Sequence, residues 1–150
     1  MVQLQKIKKR TFLEAGFQLI SSSTWVHVYA VYGLIAIILI NYYSVNSIDN
    51  FFVLATRLKK LTPYFHSINF IVAYTGAVLA GFTHDLNPTV ILMIPTSLFL
   101  MISEIKRYKK MRVIKLADVE LQEDFKLFAK KIYTMQIISI VLMYVIAKLV

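Results

Sequence analysis

Three histidines are the side chains in this sequence best suited to chemistry. His27 and His66 lie within apolar stretches, and His84 is followed directly by the carboxylate of Asp85. A histidine can ligate haem or a metal ion or carry a proton, and a neighbouring carboxylate can orient its ring. The sequence has no cysteine, which excludes disulfides, thiolate metal sites and cysteine nucleophiles. Nucleotide-binding loops, serine nucleophile elbows and HExxH zinc motifs are also absent, so the chemistry rests on the histidines and their polar neighbours.

The first candidate site surrounds His66. Asn69 follows it by about one helical turn, so both side chains share a face of the second apolar segment. Asn41, Glu104 and Gln136 are predicted at a similar depth in the other three segments. This pattern predicts either a structural hydrogen-bond layer or a cofactor site in which His66 is the ligand or proton carrier and Glu104 orients it. The cofactor-binding residues would be His66, Asn69, Glu104 and Gln136.

The second candidate site joins His27 to His84 and Asp85. His27 begins the first predicted span and His84 ends the second, which places all three side chains at the same face of the membrane. Two imidazoles and a carboxylate suit a divalent transition metal, and interfacial histidines bonded to water or headgroups are the alternative. His27 and His66 would lie roughly 15 to 20 Å apart along the membrane normal, so they cannot ligate one haem iron together. For a haem site, His66 is predicted to be the better axial ligand.

The elements that position these residues are predicted to be transmembrane helices. The 150 residues are 58% hydrophobic and have a mean hydropathy of +0.64, which is too apolar for a soluble domain. Uncharged stretches at 15–48, 61–84, 86–103 and 132–147 have lengths near the roughly 20 residues that a helix needs to cross a membrane. We therefore predict an all-α, integral membrane four-helix bundle that forms one domain, with spans at 24–43, 63–82, 88–104 and 131–149.

The segments outside the spans are also predicted. An N-terminal interfacial helix would carry Leu4 and Ile7 on one side and lysines on the other. Pro63 is expected in the first turn of helix 2, where its missing amide costs nothing, and Pro95 is expected to kink helix 3. A polar loop would occupy residues 105–130.

Helix 2 carries a stripe of small residues at helical spacing. The stripe predicts close packing on helix 1 or on a partner helix, and room for a flat cofactor is the alternative. Its members are Ala73, Gly76, Ala77, Ala80 and Gly81.

The distribution of positive charge predicts the topology. Twelve of the 17 Lys and Arg residues fall in the two loops that lie inside if both termini lie outside, which agrees with the positive-inside tendency. The prediction is a multi-pass protein of the bacterial inner membrane with both termini outside and with anionic lipid at the basic inside loop. A second copy or a larger membrane complex is the expected protein partner, and nucleic acid is not expected.

The chain resembles small four-helix bacterial membrane proteins of the copper-resistance D family and the membrane-bound protoporphyrinogen oxidase that binds haem b. The resemblance lies in size, helix order, Trp25 and His27 at the start of helix 1, and the basic residues from Arg57 to Lys60 before helix 2. It implies binding of haem or copper within the bundle. Two functions stay open, a haem- or metal-linked membrane protein and a non-catalytic accessory subunit of a larger complex, and the pattern does not decide whether the chain is an enzyme.

Overall fold

The described part of the chain folds into four helices that pack in a closed ring. The computed structural model describes residues 2–83, 88–115 and 117–149, with the backbone alone at residues 2–13 and 83. The helices are α1 (Val2–Ser47), α2 (Phe51–Thr83), α3 (Pro88–Arg112) and α4 (Val119–Leu149). Each helix packs against its two neighbours in the order α1, α2, α3, α4 and back to α1. The predicted all-α four-helix architecture is confirmed.

Each helix is long and apolar enough to cross a membrane. The candidate spans are Glu14–Ser47, Phe51–Phe82, Pro88–Arg112 and Val119–Leu149. Large apolar side chains also cover the outside of the bundle: Phe70, Ile94 and Leu142 are all more than half exposed. A helix that is apolar on its outer face as well as its inner face suits a surrounding lipid phase.

The helices extend well beyond the apolar stretches that predicted them. The connection between α1 and α2 is only residues 48–50, and the one between α3 and α4 is residues 113–118. Lys, Arg and Glu are good helix formers, so the charged flanks continue the helices instead of forming loops. Pro63 therefore lies in the interior of α2 rather than in its first turn. Pro95 lies within the unbroken α3, and the kink there stays a prediction.

The N-terminal segment expected as a separate interfacial helix is continuous with α1. The three serines at 21–23 do not interrupt the helix, and Thr24 bonds its hydroxyl back to the carbonyl of Ile20 at 2.9 Å. Serine and threonine hydroxyls can be satisfied in this way by the preceding turn, so they do not require a break.

The connections at 48–50 and 113–118 lie at one end of the bundle, which we call the basic end. Phe51 and Phe125 meet there edge to face with ring centroids 5.7 Å apart, and Leu54 and Leu58 are fully buried beside them in the same apolar core. Lys126 on α4 donates a hydrogen bond of 2.9 Å to the carbonyl of Asp49 in the first connection. This end of the bundle is thus closed by apolar packing and by a contact between the two hairpins.

Asn50 fixes the start of α2. Its side-chain oxygen accepts hydrogen bonds from the amides of Phe52 at 3.0 Å and Val53 at 3.3 Å, and its carbonyl accepts one from Leu54 at 3.0 Å. These are the bonds of a helix N-cap, which satisfy amides that have no partner within the helix.

We predict that Asn50→Ala destabilises the protein by about 1 kcal/mol, because the two amides lose their side-chain acceptor. Thermal unfolding in detergent measures this, with Ser47→Ala at the exposed end of α1 as the matched control. An equal melting temperature for the two variants would contradict the capping role.

Candidate functional site

A cavity of about 490 Å³ lies among the four helices, toward the end opposite the basic end, which we call the cavity end. This volume falls within the roughly 300 to 1,000 Å³ of small-molecule pockets. The walls are mostly aliphatic and aromatic. The lining residues whose side chains carry a hydrogen-bonding group are His27, Tyr32, Asn69, Thr96, Ser97 and Tyr144. An apolar cavity with a few polar groups is typical of a site for an apolar ligand that is held by one or two polar contacts.

His27 is the lining residue whose chemistry is most defined. Its Nδ1 lies 2.9 Å from Oγ1 of Thr75 on α2. The Thr75 hydroxyl lies 2.6 Å from the carbonyl oxygen of Ile71, so its single proton is committed to that acceptor. Since Thr75 cannot donate to His27, Nδ1 of His27 must carry a proton and donate it to Thr75. In the neutral ring, Nε2 is then the nitrogen with a free lone pair. The ring also interacts with the backbone carbonyl of Val72.

Gly76 provides the space for the His27 ring. A Cβ atom at this position would lie 3.2 Å from Cε1 of His27, which is tighter than most real contacts, and 3.7 Å from Nδ1, which is an ordinary contact. The predicted small-residue stripe therefore divides: Gly76 packs on α1, Ala80 is half-buried, and Ala73, Ala77 and Gly81 are exposed on the outside of α2. Gly76 makes room for the histidine ring that lines the cavity.

The Asn69 and Ser97 side chains form a reciprocal pair between α2 and α3. The Asn69 amide donates to the carbonyl of Ser97 at 3.3 Å, and the Ser97 hydroxyl donates to Oδ1 of Asn69 at 3.2 Å. Both residues line the cavity, where Leu34 and Leu100 are nearly fully buried. The polar groups of Asn69 are thus used for holding the two helices together.

A second group of polar side chains is buried nearer the basic end. We call it the polar layer, and its members are Asn41, Thr62, Ser103, Glu104, Arg107, Tyr133 and Gln136. Glu104 and Arg107 form a fully buried ion pair, in which Nε of Arg107 donates to Oε2 of Glu104 at 3.0 Å and Nη2 donates to Oε1. Nη2 also donates to the Thr62 hydroxyl at 2.8 Å, so α3 is joined to α2. A charge inside an apolar bundle needs such a partner.

The α1 and α4 members of the polar layer are less completely bonded. Gln136 donates to the Ser103 hydroxyl at 2.8 Å, and the Arg107 guanidinium carbon lies 5.9 Å from the Tyr133 ring centroid. Three buried polar atoms have no hydrogen-bond partner among the described residues: Nδ2 and Oδ1 of Asn41 and Oε1 of Gln136. The Tyr133 hydroxyl interacts with the carboxylate of Glu104. All three side chains are fully buried.

The four residues of the first candidate site are distributed over three places. Glu104 and Gln136 lie in the polar layer and Asn69 lines the cavity. His66 is half-buried, its ring meets that of Phe65 edge to face at 5.7 Å, and it is not among the described residues that line the cavity. The structure thus brings Glu104 and Gln136 into one layer and places His66 apart from the cavity.

The second candidate site is described only at His27, because His84 and Asp85 lie outside the described residues. Within those residues, the side chains of His, Asp and Glu form no group of three or more that could hold a metal ion. The sequence singled out Gly76 as part of the small-residue stripe, but it did not single out Thr75 or Arg107. The spacing of Glu104 and Arg107 by three residues was the available signal for the ion pair.

Comparison with known proteins gives no match to a protein-family model, to a curated protein or to a solved structure. The geometry of the cavity and of the polar layer is therefore what indicates the function.

We predict that Glu104→Leu and Arg107→Met each destabilise the protein by about 3–5 kcal/mol, because each leaves an unpaired buried charge. The double variant should be less destabilised than either single variant, since it buries no charge. Unfolding in detergent measures all three, and Lys106→Met at an exposed position of α3 is the control. Additive losses in the double variant would show that the pair is not coupled.

We predict that Gly76→Leu destabilises the protein by about 1–3 kcal/mol, because the new side chain must displace the His27 ring. Ala77→Leu, one residue along and exposed, should change the stability of the isolated protein by less than about 0.5 kcal/mol. Melting temperatures in the same detergent compare the two. Equal losses for both variants would remove the contact between Gly76 and His27 from the argument.

Proposed function

We propose that this chain is a multi-pass membrane protein that binds a haem of the b type in its cavity, with His27 as an axial ligand. The observation that carries the proposal is the state of His27: it lines an apolar cavity, its Nδ1 is held by Thr75, and its Nε2 is left to bind. A ligating histidine usually donates its other ring N–H to a neighbouring acceptor, which fixes the tautomer and the ring orientation.

The cavity suits haem because haem needs few protein ligands. A divalent metal ion needs three or four protein ligands. Haem brings four nitrogen ligands of its own, so one or two protein ligands suffice. Met93 and Met143 also line the cavity, and a methionine thioether is a known axial partner of histidine.

The rim of the cavity suits the carboxylates of a haem. Tyr144 on α4 lines the cavity, and Nζ of Lys148 lies 5.9 Å from its ring centroid. A cation near the mouth of an otherwise apolar cavity can pair with anionic groups of a ligand whose body is apolar. The arrangement therefore fits a flat apolar ligand that carries negative charge at one edge.

We predict that the detergent-purified protein, reconstituted with haem b, shows a Soret band that is lost in His27→Ala and retained in His66→Ala. His27 lines the cavity, whereas His66 does not, so the two variants separate the two candidate ligands. Thr75→Val should keep the site but weaken haem binding by about 10- to 100-fold, because the imidazole loses its orienting partner.

Titration of each apoprotein with haem, followed by absorbance, gives the affinities. Parent-like binding by His27→Ala would overturn the proposal. Loss of the Soret band in His66→Ala alone would return the ligand role to His66.

The proposed location is the bacterial inner membrane, with the basic end inside and both termini outside. Support comes from the Lys and Arg residues near the connections at the basic end, including Lys59, Lys60 and Lys109, which are exposed and can meet anionic lipid. A reporter fused after the C-terminus that is active only in the cytoplasm would contradict this orientation.

The second candidate function is that of a non-catalytic accessory subunit. The exposed members of the small-residue stripe, Ala73, Ala77 and Gly81, favour it because they allow a helix of another chain to approach α2 closely. Under this alternative, Ala77→Leu would reduce the size of the native complex in membrane extracts without changing the stability of the isolated chain. An unchanged size would leave the stripe as a lipid-facing surface.

A further inference from the structure

We infer that the polar layer is a second internal site, separate from the cavity, that binds water between α1, α3 and α4. The inference rests on three polar atoms, Nδ2 and Oδ1 of Asn41 and Oε1 of Gln136, that have no hydrogen-bond partner among the described residues. Tyr133, whose hydroxyl interacts with Glu104, borders the same layer. All three side chains have 0% exposure, so bulk solvent does not reach them. The haem proposal is independent of this site, because none of the three residues is among the described residues that line the cavity.

The three side chains lie at one level of the bundle. Thr62 follows Phe51 on α2 by as many residues as Gln136 follows Phe125 on α4. Because Phe51 and Phe125 are in contact and the two helices run in the same direction, Thr62 and Gln136 lie at the same level. The contact of Gly33 with Ile68 and the bond of His27 to Thr75 set the register of α1 on α2. In this register Asn41 lies level with residues 60 and 61, next to Thr62. Asn41 on α1 and Gln136 on α4 therefore occupy the same layer of two neighbouring helices.

Leaving these atoms without partners would be costly. A buried amide or hydroxyl loses its hydrogen bonds to water and regains the energy only if it finds another partner. Buried water fills this need in folded proteins when several polar groups converge on one site. Asn41 alone brings two unbonded donor hydrogens and an unbonded acceptor, so the pattern of unsatisfied groups matches a molecule that both donates and accepts.

The charges of the layer exclude an ion as the preferred occupant. Arg107 disfavours a cation, although Asn, Gln and Tyr oxygens are suitable cation ligands. An anion is disfavoured because the guanidinium already bonds Glu104 and Thr62, so its charge is compensated. The layer is thus electroneutral as folded, and a neutral hydrogen-bonding molecule of the size of water fits it without a change in charge.

The inferred water gives the polar layer a continuous hydrogen-bond network. Glu104, Arg107 and Thr62 already join α2 and α3, and Gln136 joins α4 to α3 through Ser103. Water at Asn41 would add α1 to the same network, so that all four helices are bonded at one level. It would also place exchangeable protons in the layer that contains the carboxylate of Glu104.

Hydroxyl-radical footprinting of the full chain in lipid nanodiscs tests the inference. A short X-ray pulse splits water where it is bound, and the radical oxidises the side chain beside it. We expect oxidation of Tyr133, which is fully buried, and protection of Phe65 and Phe125, which are buried to the same extent in apolar surroundings. Protection of all three side chains, or equal oxidation of all three, would overturn the inference.

A variant ties the signal to the proposed site. Asn41→Leu should lower the oxidation of Tyr133 at least several-fold and should lower the melting temperature, because it removes a group that binds water. Ile38→Leu, at a buried apolar position on the same helix, is the matched control and should leave the oxidation unchanged. If Asn41→Leu instead raises the melting temperature and leaves the oxidation of Tyr133 unchanged, the amide binds no water and the inference is wrong.

Discussion

The ion pair of Glu104 and Arg107 sets the constraint that shapes the basic end of the bundle. Both side chains are fully buried on a helix that is otherwise apolar enough to cross a membrane. Neither charge can remain alone in such surroundings, so the two residues must be brought together on one face of α3 and turned inward. The hydroxyl of Thr62 on α2 accepts a further hydrogen bond from Arg107. The packing of α2, α3 and α4 in the polar layer follows from the need to keep this ion pair inside the bundle.

The bundle is divided along its length into parts with different chemistry. Toward the basic end the interior is polar and closed, with the apolar contact of Phe51 and Phe125 beyond it. Toward the cavity end the interior is apolar and leaves a space that His27 lines. Leu34 and Leu100 are almost fully buried and border the cavity, so they form part of its wall. The proposed ligand site in the cavity and the inferred water site in the polar layer therefore lie in separate parts of the bundle.

The number of helices could be predicted from the sequence because the apolar runs are long enough to be counted. Part of the polar layer could also be predicted, because polar residues are conspicuous within those runs. Asn41, Glu104 and Gln136 are examples, and all three are fully buried. The helix ends could not be predicted in the same way, since charged flanks such as the one containing Arg107 are also good helix formers. The orientation of His27 and His66 was equally undetermined. In a lipid-facing bundle both faces of a helix are apolar, so periodicity does not indicate which face lies inside. The role of Thr75 depends on its contact with His27, which lies 48 residues away in the sequence.

The connection of α1 to α2 has a consequence for how the protein is made. Residues 48–50 can span at most about 11 Å, which is close to the 8–10 Å between packed helix axes. No third helix can come between α1 and α2, so in a chain that inserts during synthesis the two must leave the insertion machinery as one hairpin. His27, Thr75 and Gly76 all belong to that hairpin. The histidine is therefore oriented by the first half of the nascent chain, and the later helices only enclose it.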